Sequence, residues 1–443
     1  MPASSTDAYV SDFAEFIQAS PSSYHAAAEV ARRLEAAGFE RLDERDAWPE
    51  GPGRRLVVRD GAVIAWVQPA GAGPASPFRI VGAHTDSPGF KLKPNPSSES
   101  AGLSQANVEV YGGPLLNSWL DRELELAGRI VTADGTEHLV RTGPMLRIPQ
   151  LAVHLDREAN KALTLDRQRH LQPIWAAGEP GDVLELLAEH AGIEASAIAG
   201  TDVLVAPTTP PERFGRGGAF FASGRLDNLT SVYAGLVGIA AAAGRAAGSS
   251  GAGSAGAGSA SAGEGLAHVS VLAAFDHEEL GSESRSGASG PFLEDVLARV
   301  ASGLGATDDE RRRAFAASWI VSADAGHAVH PNYPERHDPV TRPLLGQGPL
   351  LKLNANQRYA SDAHGAALWE AVCRRAGVET QPFVSNNTVP CGTTIGPLSA
   401  TRLGIRTVDV GVPLLSMHSA RELAHVDDLA ALGRAMEAFL AED

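Results

Sequence analysis

The sequence predicts an α/β protein: an α/β/α sandwich whose chain is interrupted by an inserted, strand-rich domain. Three observations predict it. Strand-like and helix-like segments alternate through the second half of the chain, which implies a largely parallel sheet covered by helices on both faces. The section from about residue 107 to 214 breaks that alternation and holds fewer clustered acids and histidines than its flanks. Finally, acids or histidines follow four of the apolar runs, at the strand ends where an open parallel sheet binds its ligands.

At 443 residues the chain exceeds one small core, and a prior of about 150 residues per domain gives two or three units. Lys and Arg total 37 against 53 Asp and Glu, a formal charge of −16 that argues against nucleic acid or an anionic membrane as partner. An acidic ligand would therefore need a local basic group. The first twenty residues lack the basic and apolar regions of a secretory signal, and no apolar run reaches the ~18 residues of a membrane span. Two cysteines, Cys373 and Cys391, cannot form a disulfide framework, so a reducing, cytoplasmic setting is expected.

The opening "AYVSDFAEFIQASPSSYHAAAEVARRLEAAGFERL" carries two amphipathic helical patterns, broken at Ser20–Pro21 and stopped at Gly38. Next, "RRLVVRDGAVIAWVQP" reads as a hairpin turning at Asp60–Gly61, and "PFRIVGAHTDS" as a buried strand. The Pro/Ser-rich "KLKPNPSSESAGLSQ" marks a shift in composition and reads as a crossing at a domain boundary. It divides the chain into residues 1–95 and 218–443 of one domain and 96–217 of the insertion. Inside the insertion, "ANVEVYGG", "LELAGRIVT" and "LRIPQLAVHL" read as strands and "GDVLELLAEHAG" as a helix.

Beyond it, helix "LTSVYAGLVGIAAAAGRAA" leads to strand "HVSVLAAFD", helix "GPFLEDVLARVASGL" and strand "ASWIVSADA". Helix "SDAHGAALWEAVCRRAG", strand "TVDVGV" and helix "HVDDLAALGRAMEAFLAED" complete the series. Residues 246–265 are low-complexity Gly/Ser/Ala and read as a flexible surface loop. Their formal GxGxxG at Gly251, Gly253 and Gly256 follows a helix and precedes a strand, the reverse of a dinucleotide-binding turn.

The chemistry sits at the strand ends: His84 and Asp86, Glu278 and Glu279, Asp324, and His418, with Asp227 just before a helix. Taken singly, Asp227 reads as an N-cap, Asp324 as a turn former and the histidines as ordinary hydrogen-bonded groups. Together, two histidines with three or more carboxylates suit divalent zinc, manganese or cobalt. Asp227, Glu279 and Asp324 with one hydroxide would balance two divalent ions, an arrangement that describes hydrolysis. Asp86, two residues beyond His84, could accept its second ring N–H, which leaves Glu278 as general base and acid. No HExxH is present, and His277 is expected to stay outside the ligand set.

The segments "VGAHTDSPGFKLKP", "SGRLDNLTS", "FDHEELGSESRSGA", "SADAGHAVHPNYPERH", "LKLNANQRYASD", "PCGTTIGP" and "MHSARELAH" together resemble the M18 metallopeptidases, the aspartyl aminopeptidases. The matches run in order from about residue 80 to 425. The resemblance implies a metallopeptidase catalytic domain interrupted by a dimerisation domain, assembled into a tetrahedral homo-oligomer, typically a dodecamer. It implies two metal ions, zinc first, with His84 and Asp324 on one, Glu279 and His418 on the other, and Asp227 bridging. Glu278 would activate water, and His154 would reach a neighbouring subunit's active site. Substrates would be peptides with an N-terminal Asp or Glu, whose carboxylate meets Lys352, with Tyr359 assisting.

Three departures stand out: Asn387 and Thr388 where the family commonly has an acid, Gln150 where it often has a histidine, and the expanded 246–265 loop. A two-metal phosphoesterase is the alternative from another reaction class, but no phosphate-cradling loop or arginine cluster is present. A non-catalytic scaffold is disfavoured because Glu278 and every proposed ligand remain.

Overall fold

The computed structural model describes residues 5–178, 181–248 and 266–442, so the Gly251, Gly253 and Gly256 pattern lies outside the described residues. Its helices are α1 (Thr6–Ala19), α2 (Ser23–Ala36), α3 (Val183–Ala191), α4 (Leu226–Gly248), α5 (Phe292–Gly303), α6 (Asp308–Ala317), α7 (Ala363–Ala376), α8 (Ile395–Leu403) and α9 (Val426–Ala441).

A nine-stranded sheet organises the larger domain. Its centre is parallel: Val269–Phe275 beside Phe78–His84, then Trp319–Ala323, then Arg406–Gly411. The flanks turn antiparallel, including the hairpin Gly53–Arg59 with Ala62–Gln68, closed by Asp60 at φ 56°. Alternation along each strand sorts the two faces. Val63, Ala65, Val81, Ala83 and Leu272 join the core under α1, α2, α4, α7 and α9, while Ile64, Trp66, Ile80, Val271 and Phe275 join the core under α5 and α8. Full burial of such side chains contributes roughly 1.5–3 kcal/mol each.

By length and composition α4 could cross a membrane, since an 18-residue stretch within Leu226–Ala247 has a mean hydropathy of 1.3. It is instead a core helix, with 67% of that stretch buried inside the protein. Gly238 explains its close approach to α9, since a Cβ there would lie 2.9 Å from the Met436 carbonyl oxygen.

The second sheet has six strands, in the order Glu137–Arg141, Leu124–Thr132, Ile198–Pro207, Gly89–Ser100, Leu103–Tyr111 and Ile174–Ala177, and is covered by α3. The Pro/Ser-rich stretch read as a crossing at a domain boundary forms a strand hairpin, and position 96 falls inside Gly89–Ser100. Its ladder shifts register between Leu92 and Ser97, around Pro94 and Pro96, which have no N–H to donate. The strand expected over "LRIPQLAVHL" is reduced to isolated bridges at Leu146, Arg147 and Ile148. Residues 150–172 follow as turns and loop.

Candidate metal centre

The four central parallel strands end at one edge, in register, with Phe275 opposite His84. The chain leaves that edge carrying the chemistry. His84 closes its own strand, and Asp324 follows Ala323 directly. Asp227 lies where α4 begins, and its carboxylate faces the sheet edge rather than capping the helix: Oδ1 has no hydrogen-bond partner and stands 3.4 Å from His84 Nε2.

The adjacent glutamates occupy a short 3-10 turn, Glu278–Leu280, entered through His277 at φ 62° and left through Gly281 at φ 94°. That turn brings both side chains to one side, which an extended chain cannot do. Asp86 seats it. Its Oδ1 accepts the Glu278 N–H at 3.0 Å and its Oδ2 the Glu279 N–H at 3.2 Å and the Tyr111 hydroxyl at 2.9 Å. The strand ends at His84, so Asp86 reaches it from a turn. His84 Nδ1 is 3.1 Å from the Asp86 carbonyl oxygen and 3.3 Å from its carboxylate. His277 bonds Ser284 through Nδ1 at 2.9 Å and belongs to none of the donor groups below.

Asp227 stands between two histidines. His84 Nε2 is 3.4 Å from Asp227 Oδ1, 3.4 Å from Asp324 Oδ1 and 3.9 Å from Glu278 Oε2. His418 Nε2 is 3.6 Å from Asp227 Oδ2 and 3.5 Å from Glu279 Oε2. The second ring nitrogens are tied back, His418 Nδ1 donating to the Gly113 carbonyl at 2.9 Å, so each Nε2 faces the centre. Beneath them Glu422 accepts the Asp227 N–H at 3.0 Å and the His418 N–H at 2.7 Å, one on each oxygen.

These separations fit divalent ions. Nitrogen–oxygen gaps of 3.4–3.6 Å are too long for good hydrogen bonds. Donors about 2.0–2.1 Å from a tetrahedral ion lie about 3.4 Å apart. His84 Nε2 and Asp227 Oδ1 are buried with no hydrogen-bond partner, a costly state that a cation would relieve. Among the described residues, the groups close enough to share an ion are His84–Asp227–Asp324, Asp227–Glu279–His418 and His84–Glu278–Glu279.

The protein's own electrostatics show the same deficit of positive charge. Burial would lower His84, yet Asp227, Asp324 and Asp86 hold it well above the usual imidazole value. Burial likewise opposes but does not prevent the rise of His418 to about 10, driven by Asp227 and Glu279. Burial pushes Glu278 up to about 7, with Asp324, Asp86 and Asp227 adding repulsion that His84 only partly offsets. Glu279 is raised by burial and by Asp227.

The centre opens into a cleft of about 470 Å³. Lys352 and Tyr359 line it, Lys352 as a buried residue of the strand Leu350–Lys352. The Lys352 ammonium lies 5.4 Å from the Tyr359 ring centre. The structure does not bring His154 to this centre; it is exposed in the 150–172 loop. Asn387 and Thr388 are exposed beside the cleft-lining Asn386. Sequence reading missed His327, His330, Arg336 and His337, which line the cleft, and it missed Tyr111, Gly113 and Glu422. The density of His and Arg in "GHAVHPNYPERH" was the available signal for the first four.

A mixed sheet sandwiched by helices, with histidines and carboxylates spaced for divalent ions at its strand ends beside an open cleft, defines a metal-dependent hydrolase. The particular group follows from comparison: the model of the aminopeptidase I zinc metalloproteases (M18) matches residues 16–440, and the chain belongs to that family. A probable M18 family aminopeptidase 2 of Streptomyces avermitilis is 50% identical over 437 residues, covering 98% of this chain and 97% of that one. The crystal structure of prApe1 superposes with a TM-score of 0.89 at 28% identity, covering 98% of this chain and 94% of that chain. The S. cerevisiae mApe1 dodecamer gives 0.81 at 28%, covering 97% and 95%. The chain is thus a metallo-aminopeptidase, and its α/β architecture is that of the M18 enzymes.

Proposed function

We propose that this aminopeptidase holds two divalent ions and removes N-terminal Asp or Glu from peptides. The observation that carries the two-ion reading is Asp227, which offers one oxygen to the His84–Asp324 side and the other to the His418–Glu279 side. His84 and Asp324 would hold one ion, Glu279 and His418 the other, with Asp227 between them; zinc suits the donors, as manganese or cobalt would. Ions bound there supply Lewis acidity, polarising the scissile carbonyl and making water easier to deprotonate.

The chain's residues supply the rest. Glu278 reaches the centre without being needed by either three-residue donor set around Asp227, and its carboxylate can take a proton from attacking water and return it to the leaving amine. Asp86 fixes Glu278 by its backbone, so that carboxylate is aimed before substrate arrives. For the acidic side chain, Lys352 offers positive charge in the cleft wall, and an Arg336 at the same cleft adds to it.

The exposed 150–172 loop, with Leu151 57%, Val153 49% and Leu155 75% exposed around His154, supports self-association. The homologous mApe1 dodecamer supports self-association; in our reading the inserted domain carries the contact and His154 enters a neighbouring subunit's site. The deciding test is metal content and a panel of aminoacyl substrates on the purified protein. Two ions per chain, loss of activity on chelation, and preference for Asp or Glu over Leu are expected. One ion per chain, or equal rates on Asp and Leu, would overturn the corresponding part.

A further inference from the structure

The end of the inserted domain's strand Leu103–Tyr111, and the turn after it, lie directly against residues that belong to the other domain. The Tyr111 hydroxyl donates to Asp86 Oδ2 at 2.9 Å, on the same carboxylate that accepts the N–H groups of Glu278 and Glu279. Gly113 accepts from His418 Nδ1 at 2.9 Å, and the Leu115 N–H donates to the His418 carbonyl at 2.9 Å. Between them Gly112, at φ +66°, packs so closely that a Cβ would stand 3.2 Å from Glu279 Cβ and 3.3 Å from Glu279 O. Within five residues the insertion thus touches both Glu279 and His418, and the support of Glu278.

We propose that Tyr111–Leu115 is a buttress by which the inserted domain sets the spacing of the centre, with Tyr111 the positioning residue for Glu278 and Glu279 through Asp86. The inference rests on the two-ion reading. The physical ground is that Asp86 is 2% exposed and spends its oxygens on three donors. Removing the phenolic donor leaves a buried carboxylate short of a partner and free to turn. The glutamate turn it seats would then lose its fixed direction. Losing a group that orients metal ligands commonly changes affinity or activity by about 10–100-fold.

The test titrates zinc alone into metal-stripped protein by calorimetry, for the unmutated chain and for Tyr111→Phe, which keeps the ring and removes the hydroxyl. The unmutated chain should take two ions. Tyr111→Phe should bind at least one of them about tenfold more weakly and lose about tenfold in kcat with KM unchanged, while the stripped protein melts within about 3 °C of the original. Gly112→Ala, which pushes a methyl group at Glu279, should weaken zinc binding in the same direction. Unchanged zinc affinity and kcat in Tyr111→Phe would overturn the buttress, as would a fall in affinity matched by a fall in the stripped protein's Tm. An unmutated chain that does not take two ions would overturn the two-ion reading instead.

Discussion

Lys352 is held by Asp324: its ammonium stands 3.3 Å from Asp324 Oδ2 and donates to the Ala325 carbonyl at 2.6 Å. An ammonium has three donors, so one remains for a ligand in the cleft it lines. Lys352→Met should reduce kcat/KM for an N-terminal Asp substrate about 10–100-fold more than for a Leu substrate, the worth of a charged hydrogen bond. Parallel losses on both substrates would show that the lysine only supports Asp324.

Glu278→Gln keeps the size of the side chain and removes its proton-carrying capacity. Turnover should fall about 10²–10⁴-fold, the usual contribution of a general base, while zinc content stays at that of the unmutated protein. Stopped-assay kinetics and metal analysis on the same preparation check both. Retained turnover would overturn the assigned role.

Glu422 spends one oxygen on Asp227 and one on His418, so an amide in its place can accept only one of the two N–H groups. Glu422→Gln should weaken zinc binding about tenfold or more in calorimetry of the stripped protein. Its loss of stability follows from the same cause, a buried N–H facing an NH₂ group, and should appear as a lower Tm.

If His154 acts in a neighbouring site, two inactive proteins should rescue each other. In a mixed oligomer the His154→Ala subunit retains its own Glu278 and receives His154 from a Glu278→Gln neighbour. Co-expression should restore roughly a quarter of full activity in pairwise random mixing, whereas each variant alone stays low. No rescue, in oligomers shown by mass to be mixed, would place His154 outside the reaction.

His25 gives a pH prediction away from the metal centre. Burial, then Arg141 and Arg225, depress its imidazole to about 4. The unfolded chain then binds the extra proton below about 6.5, and the folded protein does not until about 4. Its contribution is therefore intact above pH 6.5 and is lost as pH falls towards 4, on the order of 3 kcal/mol in total. His25→Gln should flatten that part of the stability curve, measured by denaturant melts from pH 4 to 7.

The centre was legible because its donors follow apolar strands directly: "FRIVGAH" and "SWIVSAD" announce a sheet edge and what stands on it. The supports of the glutamate turn and of Asp227 were not, because Tyr111 meets Asp86, and Glu422 meets Asp227, through packing between segments apart in the chain. Helix α6 escaped notice because Ala314 is its buried residue and no apolar stripe exists, although the Thr307–Glu310 capping box was there to be read. Helix α8 was hidden by Gly396 and Pro397. The hairpin at Gly89–Ser100 was obscured by prolines that its register shift absorbs.

The donors around Asp227 are drawn from far-separated stretches of chain, His84 early and His418 only just before α9. During synthesis, nearly the whole polypeptide must therefore leave the ribosome before both donor sets around Asp227 can exist. A chain cut short before residue 418 retains His84, Asp227, Glu278, Glu279 and Asp324 but lacks the second histidine. Under the two-ion reading, such a product would lack the His418 side of the centre, a consequence of the order in which the chain is made.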